Sequence, residues 1–271
     1  MDIDSHCLVR GLKPLDSLSF IALAIVTFLA ASIQAATGFG FAILAVPFFL
    51  VILNSLAAVQ IVAVINFFLS LVIIPWLWKS VPRKPFFNLM IGSSIGFPVG
   101  LYLFVNADVT SAKLAAGILI TLLAAFLLYR EVKSGSADKG KLPANGTSLE
   151  QNSSGAQIGI GFLSGVMGAA LAMPGPALMI YMILAKASKQ ISRALLLTLF
   201  AYSYGTIALI HTFWGGMTMT SWTVSVTLVP FIFSGAWAGN LLSRFLSENR
   251  FRYLVLTILI VSGFYAIWTA I

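Results

Sequence analysis

Two interruptions in apolar sequence gather the residues of this chain best able to do chemistry. The first, "QAATGFGFAILAVP" at 34–47, places Gln34, Thr37, Gly38, Phe39 and Gly40 inside a stretch that is otherwise greasy from Ser17 to Leu53. The second, "SGVMGAALAMPGPALMIYMI" at 164–183, brings in Ser164, Gly168, Pro174, Gly175 and Pro176. The carboxamide and hydroxyls offer hydrogen bonds, and the glycines let the backbone turn and approach a solute closely. Each proline removes an amide donor, so the surrounding N–H and C=O groups cannot all close into a helix. Short helices that start at such breaks present free N–H groups and positive dipole ends, which favour an anion.

Other chemistries lack their residues. All eight carboxylates (Asp2, Asp4, Asp16, Asp108, Glu131, Asp138, Glu150, Glu248) fall in termini, loops or helix ends, so the intramembrane carboxylate of a cation or proton carrier is missing. Cys7 has no partner for a disulfide and no metal-ligand companions; no metal and no cofactor is expected. No Ser/His/acid set supports catalysis, so an enzyme is not expected. Among polar groups deep in apolar segments, Asn66 and Tyr202 fall opposite each other when Trp78 is aligned with Trp214, and both are expected to line the cavity. His211, beside Trp214 near the end of its segment, reads as interfacial rather than as a proton relay. "GFGFAI" lacks the third glycine of a dinucleotide fingerprint.

Of 271 residues, 59% are hydrophobic and only 9% charged. Soluble domains carry about 25% charged residues, so these segments belong in a bilayer, where a crossing takes about 20 apolar residues. They run at roughly 17–36, 39–53, 56–78, 86–106 and 112–130, then at 157–169, 172–185, 191–214, 221–243 and 252–271. The stretch between the sets is rich in Ser, Gly, Asn and Lys and reads as a solvated linker; its glycosylation-type triplets at Asn145 and Asn152 are read as chance matches. The formal charge of +8 sits in short clusters between apolar runs, which argues for cytoplasmic loops and against nucleic acid as a partner.

The two sets resemble each other. Gly96-Phe-Pro-Val-Gly100 aligns with Gly235-Ala-Trp-Ala-Gly239, and each half opens with an interrupted segment, which is the sequence pattern of a repeat-built transporter. The four-residue spacing of Gly92, Gly96 and Gly100, and of Gly235 and Gly239, reads as close helix packing. If each interruption crossed once, the bases would divide nine against seven; if each doubles back, they divide three (Arg10, Lys13, Lys113) against thirteen. The second division is the positive-inside pattern. The expected architecture is therefore an all-α polytopic membrane protein, one membrane domain over 1–271. Its parts are repeat 1 (17–130), a cytoplasmic linker (131–155) and an inverted repeat 2 (156–271), with both termini outside. Each repeat has about five membrane segments, giving eight full-length helices plus interrupted or re-entrant first segments.

"QAATGFGFAILAVPFF" and "GFLSGVMGAALAMPGPALMIYMI" resemble the paired motifs of the TauE/SafE family of sulfite and organosulfonate exporters, over nearly the whole chain from about Leu18. The resemblance implies transport of a small anion such as sulfite, sulfoacetate, another sulfonate or a carboxylate across a bacterial inner membrane, and it leaves homo-oligomerisation open. The competing expectations are an ion channel, for which Thr37-Gly-Phe-Gly40 is a truncated filter match, and a non-transporting membrane scaffold.

Overall fold

A computed structural model describes residues 16–38, 40–74, 80–133, 153–185, 187–242, 257 and 260–270, except for the side chains of Thr37, Ile73, 130–133, Lys189 and Leu242. Cys7, Phe39, Trp78, Asn145, Asn152 and most of the 131–155 linker lie outside the described residues. Every element described is helical: α1 (Ser17–Thr37), α2 (Phe41–Leu53), α3 (Ala57–Ile73), α4 (Arg83–Asn106), α5 (Val109–Lys133), α6 (Ser154–Leu171), α7 (Gly175–Leu184), α8 (Lys189–Phe213) and α9 (Met219–Leu242). A last helix, α10, covers 260–268.

Among the described residues, six helices are long and apolar enough to cross a membrane: α1, α4, α5, α6, α8 and α9. This is fewer than the eight expected, because α3 stops at Ile73 and the last segment is described only in part. The arms of each interruption are also unequal. The arm before each break, α1 or α6, is long enough to span; the arm after it, α2 with 13 residues or α7 with 10, is not.

Lipid-facing stripes repeat every three or four residues, as a helix with one outward face requires. On α1 the exposed side chains are Leu18, Ile21, Ile25 and Leu29, and on α4 they are Phe87, Ile91, Ile95 and Val99. Inside, α3 packs on α8, while α1 packs on α9 and α4 on α6. The first helix of each sequence half thus lies against the fourth helix of the other.

Glycine makes both of those crossings close. A methyl group on Gly92, Gly96 or Gly100 of α4 would strike the backbone of Ile158, Phe162 or Val166 on α6, and one on Gly161 or Gly165 of α6 would strike Leu89 or Ser93. At the other crossing, Gly235 and Gly239 of α9 meet the backbone of Phe28 and Ser32 on α1. A serine stitches each pair: Ser93 Oγ donates to the Gly161 carbonyl at 3.1 Å, and Ser32 Oγ to the Gly235 carbonyl at 2.9 Å. All five glycines read as packing residues do pack.

Candidate functional site

The two breaks are built alike. Gly38 ends α1 in the left-handed region (φ 88°), and its N–H returns to the Gln34 carbonyl at 2.7 Å. Ala172 ends α6 in the same conformation (φ 53°), and its N–H returns to the Gly168 carbonyl, also at 2.7 Å. Gly40 (φ 111°) then starts α2, whereas Pro174 starts α7 with Pro176 in its first turn. Proline suits that position because its missing N–H has no intrahelical partner there anyway. Ser164 Oγ donates to the Pro174 carbonyl at 2.9 Å and ties the turned-back chain against α6.

A buried chain of side chains joins the breaks. The Phe41 amide at the start of α2 donates to Gln34 Oε1 at 3.1 Å, and Gln34 Nε2 donates to Asn66 Oδ1 on α3 at 2.8 Å. Asn66 neighbours the Tyr204 hydroxyl on α8, and that hydroxyl donates to the Ala172 carbonyl at 3.1 Å. Gln34, Asn66, Ala172 and Tyr204 are all at most 1% exposed, so the arrangement is closed off from solvent. Tyr204 lies 15 residues into α8, about 22 Å along its axis, which puts the chain deep within the protein.

Side chains of α8 also reach the carbonyl ends of both broken helices. Arg193 Nη2 donates to the Ala35 carbonyl at 3.0 Å, and His211 Nε2 donates to the Ala169 carbonyl at 2.9 Å. Ala35 and Ala169 are equivalent, each one residue past the carbonyl that receives the terminal left-handed turn. His211, two residues from the end of α8, is turned inward rather than exposed. It is fully buried against Phe104, with ring centroids 4.3 Å apart; the chain turns back through Gly215 and covers it, which nearness to Trp214 in sequence does not reveal.

Buried polar atoms without a hydrogen-bond partner concentrate here. Among the described residues they are Asn66 Nδ2 and Ser70 Oγ on α3, and Arg193 Nε, Thr198 Oγ1, Ser203 Oγ and His211 Nδ1 on α8. Leaving such a group unpaired costs about 1–3 kcal/mol, yet all six sit on the two central helices. The same protein pairs its polar side chains elsewhere, as where Asn88, Gln157 and Tyr181 link α4, α6 and α7 at 2.6 and 3.1 Å.

The residues expected from sequence divide into three groups. Gln34, Gly38, Gly40, Asn66, Ser164, Gly168, Pro174, Gly175 and Pro176 all lie at the breaks or on the chain joining them; Gly168 packs toward Ile207 and Pro174, and Gly175 toward Phe200. The Thr37 side chain and Phe39 lie outside the described residues. Tyr202 is not in the cluster. Its hydroxyl is 2.6 Å from Ser94 Oγ in a groove of about 380 Å³ between α4 and α8, lined also by Phe97, Pro98, Thr206 and Trp214.

Tyr204, Arg193 and Ala172 are the residues sequence reasoning missed. The signal for Tyr204 was present: the repeat register is 136 at the Trp78/Trp214 pair and 139 at Gly100/Gly239, and Tyr204 stands 138 beyond Asn66. Arg193 carried no signal beyond its place in a basic loop.

The family model described as "Sulfite exporter TauE/SafE" matches residues 23–266. The chain belongs to the TauE/SafE family. Both broken segments and the whole of the α3/α8 centre fall inside the match. Comparison with curated proteins and with solved structures gave no match. This TauE/SafE chain is thus a multi-pass protein of a membrane-transporter family whose solutes are small sulfur anions, and not of an enzyme family.

Proposed function

We propose that this TauE/SafE protein exports a small anion, sulfite or an organosulfonate such as sulfoacetate, with carboxylates as the alternative class, and that the solute passes between α3 and α8 at the level of the two breaks. The observation that carries this reading is the concentration of buried, unpartnered polar atoms on those two helices. Groups that stay unpaired in the occluded state are donors and acceptors for a passing solute or its water. Gln34, Thr37, Gly38, Phe39, Gly40 and Asn66 from one half, and Ser164, Gly168, Pro174, Gly175 and Pro176 from the other, form the proposed site. Tyr204 takes the place first given to Tyr202.

The starts of α2 and α7 add a favourable field. Both lie within the buried centre, and the positive end of a short helix dipole attracts a negative solute. The proposed repeats are 17–130 and 156–271, inverted about the α3/α8 contact. The reciprocal packing of α1 on α9 and of α4 on α6 supports this arrangement. Charge sorting supports termini on the outer side of a bacterial inner membrane and the 131–155 linker in the cytoplasm. Rocking of the halves would open the occluded chain to one face and then the other. An inside-negative potential drives each negative charge outward by about 2.3 kcal/mol per 100 mV, so export needs no coupling ion.

The test is flux from reconstituted vesicles loaded in turn with sulfite, sulfoacetate, methanesulfonate, taurine and acetate. Efflux of at least one anion that rises with inside-negative potential is expected. Absence of flux for every solute from monodisperse, folded protein would overturn the reading.

A further inference from the structure

Arg193 occupies a place that its role as a loop cation does not explain. It stands four residues into α8, about 6 Å from the start of that helix, and its side chain runs past the first break. A methyl group on Gly38 would come within 2.8 Å of Arg193 Cγ, so the glycine both allows the left-handed turn and leaves room for the arginine. Nη2 donates to the Ala35 carbonyl at 3.0 Å, whereas Nε is buried and has no partner.

A guanidinium at a helix C-terminus is ordinarily a cap that offsets the dipole. Two features go beyond capping. A cap does not require burying a second donor unpaired, and although Arg193 as a whole is only half-buried, its Nε lies out of solvent without a partner. The carboxylates with described side chains stand elsewhere: Asp16 precedes the far end of α1, and Asp108 accepts from the Ser111 amide at the start of α5. The fork geometry of arginine matches two oxygens of a sulfonate, sulfite or carboxylate.

We propose that Arg193 is the anion-recognising group at the cytoplasmic mouth of the path, holding the solute by its Nε–H and an Nη–H before it passes along α8 to the level of Asn66 and Tyr204. This deepens the transport reading and rests on it for the direction of movement. Occupation by an anion would draw the guanidinium from the Ala35 carbonyl, so solute arrival loosens the end of α1. The first break is then held closed by the residue that detects the solute.

Two measurements test it. In purified wild-type protein, sulfoacetate, which unlike sulfite does not add to the aldehyde of phenylglyoxal, should shield Arg193 from that reagent, read by peptide mass, while equal ionic strength of chloride should not. In vesicles, Arg193→Gln should raise the sulfite concentration for half-maximal flux about tenfold or more, with Arg193→Lys intermediate because it keeps the charge and loses the fork. Unchanged phenylglyoxal labelling in sulfoacetate would overturn the proposal. So would an Arg193→Gln protein with a lower melting temperature and lower maximal flux but unaltered half-saturation, the signature of a cap alone. Shielding of Arg193 in a wild-type protein that passes no anion would overturn the transport reading and leave the anion site standing.

Discussion

Tyr202 and Tyr204 are two residues apart, and on an α-helix that separation turns their side chains by about 200°. One therefore faces the groove beside Ser94 and the other faces the breaks. Tyr204→Phe strands the Ala172 carbonyl and is expected to lower stability by about 1–3 kcal/mol and to reduce flux strongly. Tyr202→Phe should leave flux near wild type. Equal effects in the two variants, measured in the same vesicle assay, would place the path in the groove instead. Ala172 itself is strained, since a side chain in the left-handed region costs about 1–2 kcal/mol and its φ is 53°. Ala172→Gly is expected to raise the melting temperature by relieving that strain; a fall would mean that the alanine methyl, fully buried here, contributes more in packing than the backbone loses.

Element by element, the crossings of α1 with α9 and α4 with α6 depend on backbone approaching backbone, which a side chain larger than hydrogen prevents. Gly96→Leu is expected to abolish a monodisperse peak in size-exclusion chromatography, because its Cβ would strike the Phe162 carbonyl. Gly159→Ala is the control: nothing lies within 4 Å of a methyl group there, and removing a helix-interior glycine stabilises by about 0.5–1 kcal/mol. The pair separates glycines that pack from glycines that are merely present. At the start of α5, Ser111 holds the Asp108 carboxyl below the usual carboxylate range, chiefly through its side chain and then its amide. A group lowered in this way stabilises the fold above its unfolded pKa and loses that contribution as pH falls through the folded value. The melting-temperature gap between wild type and Asp108→Ala should accordingly be full at neutral pH and vanish in acid.

For the molecule as a whole, the central question is whether α3 and α8 part during transport. In a background with Cys7→Ser, cysteines replacing Phe67 and Gly205, which touch across that contact, should be joined by a short bifunctional thiol reagent, and the joined protein should lose flux. Flux that survives complete cross-linking would rule out rocking at this contact. Orientation is a separate matter. Single cysteines at Lys139 and Ile271 should be labelled from opposite faces of oriented vesicles, as an inverted pair of halves demands; labelling from one face would end the inverted arrangement.

How much was legible in the sequence follows from what each signal measures. Composition and segment length fixed the membrane class, because lipid tolerates only long apolar helices with their backbone satisfied. The glycine spacing announced the close crossings, and the Gly/Pro interruptions at 34–47 and 164–183 announced the breaks, since both depend on local backbone requirements. What the tertiary structure alone decided is which side chains meet between the breaks. Gln34, Asn66, Tyr204 and the Ala172 carbonyl come from four helices, and rotating any one of them by a single residue would present a different face. The same reason hid Arg193 and His211: helix packing, rather than their neighbours in sequence, brought a loop cation and a segment-end histidine against the carbonyl ends of α1 and α6.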